Sequence, residues 1–334
     1  MPKRTLAIHV GPPKTGTSAV QKVFVTTRRP GILYPSTGRW PDGAHHVVIF
    51  ALRGIARVGD VEIPPRAEVI GSLLSEIRGC DDDVLISSEA LTPATFRLLL
   101  DELGPVLGRF DRIVALFVAR EPIAGAASSY NQHVKDSMIG EGRSPDPWLD
   151  VSWSRFSIGP EIARWNEVVP ALEVIPYEPA AGFVPRFLAR MGLDAAEPAD
   201  VGRPNRSMGG KALATLVLAN RVNRTFTTRR RFWERLRADP TFRIWRGESF
   251  PFSPEAIATA RERFADDHRI LADLGGTGEI GCRHATHARF VLSSADLRQI
   301  LSHISALPGY EDRRGESEAF LSQFVTGDDR SASR

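Results

Sequence analysis

The chain has 334 residues, 42% of them hydrophobic and 25% charged, with a formal net charge of +3. That composition fits a folded chain with a substantial core, in one large domain or two small ones, and so small a net charge gives a nucleic-acid partner no support. Two cysteines, Cys80 and Cys282, are too few for a disulfide framework and lack metal-ligand spacing.

Lys3 and Arg4 are followed by a run of only six residues, Thr5 to Val10, apolar on both faces. It reads as a central buried strand and not as a leader. A glycine-containing turn follows, then a helix from Thr17 to about Arg28. Gly31 to Pro35 reads as a short second strand. Ala44 to Arg57 and Pro65 to Arg78 carry helical periodicity, separated by Pro64-Pro65. Val84 to Ser88 is the next strand and delivers Glu89 at its carboxyl end. Thr92 caps a helix starting at Pro93.

Arg112 to Ala119 is another buried strand with Arg120 at its end, and Glu121-Pro122 opens a helix to about Lys135. Leu172 to Tyr177 and Phe183 to Met191 read as a further strand and helix. Strands alternating with helices predict an α/β domain, a mainly parallel sheet covered on both faces. From about Asp194 the pattern changes to helices at 210–224, 254–274 and 295–307, separated by polar loops. The expected division is therefore a 1–193 α/β core, a 194–325 helical extension carrying acceptor-side elements, and a disordered 326–334 tail. No stretch approaches the roughly 20 apolar residues of a membrane-spanning helix, and a cytoplasmic setting is the expectation.

In open parallel sheets, ligands bind beyond the carboxyl ends of the strands. Three such ends carry candidates: the Gly11-Pro12-Pro13-Lys14-Thr15-Gly16-Thr17-Ser18 loop, Glu89 and Arg120. A strand feeding a glycine-containing turn and a helix is the layout of a phosphate cradle. In the usual nucleotide-triphosphate loop the lysine follows the second glycine. Here Thr17 occupies that slot and the cation has moved to Lys14.

The segment Pro13-Lys14-Thr15-Gly16-Thr17-Ser18 resembles the 5′-phosphosulfate-binding loop of the sulfotransferase family, whose core reads Pro-Lys-x-Gly-Thr-Thr/Ser. Arg120, Pro122, Ser128 and Tyr130 resemble the second signature of that family, an arginine at a strand end with a serine eight positions later. The resemblance covers roughly the first 180 residues. It implies a P-loop-type fold and 3′-phosphoadenosine 5′-phosphosulfate (PAPS) as the donor. Lys14, Thr15, Gly16, Thr17 and Ser18 would hold the 5′-phosphosulfate, with Lys14 catalytic; Arg120 and Ser128 would hold the 3′-phosphate, and no metal is required.

The acceptor hydroxyl needs a general base. Glu89 is the first choice, and His45 and His46, on the preceding loop, are the alternatives. A carboxylate base fits a carbohydrate or glycolipid acceptor, by analogy with the glycan-modifying branches of the family. The basic Arg203-Pro204-Asn205-Arg206-Ser207 loop is a candidate to complete the 3′-phosphate pocket. The arginine-rich stretch Arg221 to Arg246 reads as a solvated helix face or as a patch for an anionic acceptor. An ATP- and magnesium-dependent small-molecule kinase and a non-catalytic nucleotide-binding scaffold are the rival readings.

Overall fold

The computed structural model describes residues 4–27, 29–177, 183–191, 208–244, 252–275 and 290–325. They fall into two units that interleave along the sequence. The first unit takes the described residues of 1–120, 158–204 and 266–278; the second takes those of 121–157, 205–265 and 279–334.

The first unit is α/β. Its strands β1 (Thr5–Gly11), β2 (Ile32–Leu33), β5 (Asp83–Ser87), β6 (Arg112–Ala119) and β7 (Leu172–Pro176) form one sheet in the order β2-β5-β1-β6-β7. Every pairing in it is parallel. The central strand β1 sets Leu6 opposite both Val84 and Ile113, and Ile8 opposite Ile86 and Ala115. Because side chains alternate across a strand, its residues serve two cores. Leu6, Ile8 and Val10 pack with Ile49 of α2 (His46–Leu52), Leu73 of α3 (Arg66–Arg78), Phe96 of α4 (Pro93–Leu107) and Trp165 of α7 (Ile158–Asn166). Ala7 faces the other way, with Val20 and Phe24 of α1 (Thr17–Thr26) and Phe187 of α8 (Phe183–Arg190). The sheet therefore has a helical layer on each face.

Local chemistry sets the boundaries. Thr92 caps α4 reciprocally with Thr95, and Pro93 occupies the first helical position. The helix expected over 44–57 is confined to His46–Leu52. It stops at Arg53-Gly54, and the chain turns into a two-stranded antiparallel hairpin of β3 (Arg57–Val58) and β4 (Val61–Glu62). The strand expected over 31–35 pairs only at Ile32 and Leu33.

The second unit is helical, built from α5 (Pro122–Lys135), α6 (Pro145–Ser152), α9 (Gly210–Val222), α10 (Phe226–Ala238), α11 (Pro254–Arg263), α13 (Ser294–Ile304) and α14 (Arg314–Ser322). α9 is its centre, buried at ten positions from Gly210 to Asn220. The rings of Tyr130 and Trp148 meet edge-to-face there at 5.3 Å. The boundary expected at 193/194 does not describe this packing. α5 and α6 precede it, yet the apolar face of α5 (Ile123, Ala126, Tyr130 and Val134) lies in the α9 core. The single helix expected over 254–274 is divided in the same way. Phe264 is fully buried in the second unit's core, whereas Leu271 of α12 (Ala265–Asp273) packs in the first unit's. The tail expected over 326–334 lies outside the described residues. No helix among the described residues is long and apolar enough to cross a membrane.

Candidate functional site

The loop between β1 and α1 is shaped by three residues with positive φ: Gly11 at 88°, Lys14 at 68° and Gly16 at 78°. A Cβ on Gly11 would lie 3.1 Å from the Cα and Cβ of Glu89, so only glycine lets the loop start against that turn. At Gly16 an added Cβ would sit 2.8 Å from Tyr177 Cε2 and 2.9 Å from Phe183 Cδ1. The loop is thus wedged between the turn after β5 and the aromatic residues that follow β7. Inside it, the buried Thr15 donates its hydroxyl to Pro12 O at 2.6 Å. Thr17 is buried and Ser18 half-buried.

Gly16 heads α1 with no side-chain cap. A helix start of this kind offers backbone amides and partial positive charge to an anion. Lys14 is half-buried, and its left-handed backbone costs a non-glycine residue about 1 kcal/mol or more. Arg120, at the end of β6, helps to hold that conformation. Its Nη1 donates to Lys14 O, and its guanidinium lies 5.1 Å from the Tyr177 ring centroid.

Glu89 sits at the end of a buried polar chain. Gln21 of α1 donates from Nε2 to Glu89 Oε2 at 3.0 Å and to Ser87 Oγ at 3.1 Å. Ser87 Oγ also shares a hydrogen bond of 2.9 Å with Nδ1 of His9, in the centre of β1. Burial pushes His9 from 6.5 down to about 3, so the imidazole is neutral. Its edge rests on Phe187, 4.9 Å between centroids. The other carboxylate oxygen of Glu89, Oε1, faces His46 Nε2 at 3.8 Å. Asp42 Oδ2 lies at the same 3.8 Å from that nitrogen, and Ser88 Oγ bonds His46 Nδ1 at 2.8 Å.

The first unit therefore brings the Lys14 loop, Glu89, Arg120 and His46 to the carboxyl edge of the sheet. His45 stands apart from them. It is fully buried, with Nε2 2.9 Å from Pro35 O and Nδ1 accepting from the Ser87 amide at 3.1 Å. Desolvation lowers it to about 4. With both ring nitrogens engaged by backbone, it ties its loop to β5 and does not face a substrate. The expectation of His45 as a base is corrected accordingly.

Ser128 is half-buried on α5 of the second unit. The start of that helix is capped by the Glu121 carboxylate, which accepts from Ile123 N at 3.0 Å and Ala124 N at 2.6 Å. The Arg203–Ser207 loop lies outside the described residues. In the Arg221–Arg246 stretch, several guanidiniums are spent inside the second unit. Arg221 donates to Gly142 O, Arg229 to Asn223 O and Arg235 to His303 O, while Arg230 pairs with Glu234. Those bonds weigh against a patch for an anionic acceptor; Arg246 itself is outside the described residues.

Three contributors were not picked out from sequence. Gln21 shares the buried stripe of α1 with Val20 and Phe24, and a lone amide on an apolar stripe is a readable signal. Asp42 stands four residues before His46, a spacing whose meaning depends on Glu89, brought in from 43 residues further on. Tyr177 reads as the end of a strand, with no local sign that it supports an arginine. No protein-family model matches the chain, and no curated protein matches it with significance.

Proposed function

We propose that the protein is a P-loop-type sulfotransferase that moves a sulfuryl group from PAPS to a hydroxyl acceptor, a glycan or glycolipid by analogy with the glycan-modifying branches of the family it resembles. The observation that carries this reading is the meeting of three strand ends. An amide-rich loop with Lys14 follows β1, Arg120 follows β6 on one side, and Glu89 follows β5 on the other. With the hairpin set aside, the sheet strands in chain order run 2-3-1-4-5 across the sheet, and this order supports the P-loop-type assignment.

The reaction follows from those residues. The acceptor oxygen attacks sulfur in line, and an S–O bond forms as the bond from sulfur to the bridging oxygen breaks. The electron pair leaves on the phosphate oxygen, where Lys14 and the helix start offset the charge. The acceptor proton passes to Glu89 Oε1, while Gln21 holds Oε2 in place. Arg120 takes the 3′-phosphate through charge-assisted hydrogen bonds.

Calorimetric titration with 3′-phosphoadenosine 5′-phosphate, beside ADP and magnesium-free ATP, tests the donor site. The expected result is binding that depends on the 3′-phosphate and is lost in Arg120→Ala. Preference for ATP, with magnesium-dependent turnover, would replace this reading by the kinase. Absence of binding to any of the three would remove the donor site altogether.

A further inference from the structure

Beside the donor loop, Asp42, His46 and Glu89 are arranged as ligands. One ligand atom from each lies within 4.8 Å of the other two, and His46 Nε2 stands 3.8 Å from both carboxylates. At 3.8 Å neither contact is a hydrogen bond. A tetrahedral cation about 2.1 Å from each ligand places ligand atoms about 3.4 Å apart, so the trio closes on an ion with small side-chain rotations.

The second observation concerns the atoms that do not face the centre. Asp42 Oδ1 accepts from the Ala44 amide at 3.0 Å. His46 Nδ1 is bonded by Ser88 Oγ at 2.8 Å. Glu89 Oε2 accepts from Gln21 Nε2 at 3.0 Å. Each ligand is thus held from behind by a separate partner, the arrangement that orients metal ligands in known centres. A bound cation would select the tautomer whose Nδ1–H donates to Ser88 Oγ, leaving the Nε2 lone pair for the ion. Gln21 Oε1, on the amide that holds Glu89, is buried and has no hydrogen-bond partner among the described residues. The loop bearing Asp42 is itself pinned, because Tyr34 donates its hydroxyl to Gly43 O at 2.7 Å.

We infer that Asp42, His46 and Glu89 form an open three-ligand site for a divalent first-row transition cation, Zn²⁺ or Mn²⁺. One imidazole and two carboxylates suit those ions better than Mg²⁺, which prefers oxygen ligands and retains its water. Asp42 is exposed and Glu89 partly so, so the remaining coordination positions open to solvent. With the cation bound, Glu89 Oε1 is a ligand and no longer a proton acceptor. The two roles belong to two states of the protein, and the cation site stands independently of the donor reading.

The test is calorimetric titration of the untagged full chain with ZnCl₂, MnCl₂ and MgCl₂, with circular dichroism to verify folding of each variant. The expected result is one Zn²⁺ or Mn²⁺ per chain and no saturable Mg²⁺ binding. Asp42→Asn and His46→Ala should each weaken binding by at least about tenfold, and so should Ser88→Ala, which touches no ion. If His46→Ala does not fold, Asp42→Asn and Ser88→Ala carry the test, since the asparagine can keep the bond to Ala44. No one-to-one transition-metal binding, binding indifferent to Asp42→Asn, or preference for Mg²⁺ would overturn the inference. Titration with 3′-phosphoadenosine 5′-phosphate reads Lys14 and Arg120, so failure of one site is distinguishable from failure of the other.

Discussion

The two units bury polar side chains for different purposes. In the first, His9, Gln21, Ser87 and Ser88 are fully buried, and they bond to one another, to Glu89 and to His46. In the second, the buried polar side chains of α9 bond to backbone. Thr215 donates to Lys211 O at 2.8 Å, and Asn220 donates to Val134 O at 2.8 Å and Glu141 O at 3.0 Å. A buried polar group left unpaired is costly, and a carbonyl is its simplest partner. Side chains that instead spend their bonds on other side chains fix the orientation of those side chains. The first pattern builds a site, and in the second Asn220 ties α9 to α5.

The largest expected effect probes the second unit. Trp148→Ala removes a fully buried ring from the α9 core and should cost about 3–5 kcal/mol in denaturant unfolding. A loss below about 1 kcal/mol would show that this core does not hold the unit together. Lys14→Ala probes the opposite case. It should lower sulfuryl transfer by about 10²–10³ while shifting stability by no more than about 0.5 kcal/mol. A large stability loss with normal turnover would reverse the comparison.

Acid should act on the first unit through its buried imidazoles. His9 at about 3 and His45 at about 4 are depressed from 6.5, so between these values the unfolded chain binds more protons. Stability is complete above pH 6.5 and declines as pH falls toward 4, with a slope approaching about 2.7 kcal/mol per pH unit for two protons. Unfolding free energy measured against pH, with His45→Gln as control, checks this; a flat curve would contradict the neutral assignments.

Gln21→Leu and Asn220→Leu provide the paired test of the two patterns. Each strands buried partners and should cost about 1–3 kcal/mol, but only Gln21→Leu should also lower turnover. Equal turnover in both would mean that Gln21 is one more tie between elements. The smallest effect is expected at Thr92→Ala, which breaks the reciprocal cap of α4 and should lower the unfolding free energy by about 1 kcal/mol without altering turnover.

Much of the sheet was readable from sequence because its strands are buried on both faces. Ile113 to Ala119 shows this as an unbroken apolar run, and the Thr92-Pro93 pair marked its helix start for a stated chemical reason. The short hairpin at 57–62 was masked by the helical period of the residues before it, although Val58-Gly59-Asp60-Val61 carries turn chemistry. The grouping of Asp42, His46 and Glu89 had only the four-residue spacing of the first two as a local signal, since β5 brings the third to them after two helices and the hairpin have intervened. The division into units was equally hidden. The face that α5 turns to α9 is a property of packing, while the change of texture near Asp194 is a property of composition.

The position of β1 also has a consequence for synthesis on the ribosome. Its Thr5 pairs with Arg112, 107 residues later in the chain. At ordinary elongation rates the second neighbour of β1 leaves the ribosome about 5 to 20 s after the first strand does. Throughout that interval one edge of β1, the strand that leads into the Lys14 loop, has no strand of its own chain to pair with. A nascent chain of this protein passes through a long stage in which an apolar strand is open to any other edge it meets, and to chaperones that recognise such strands.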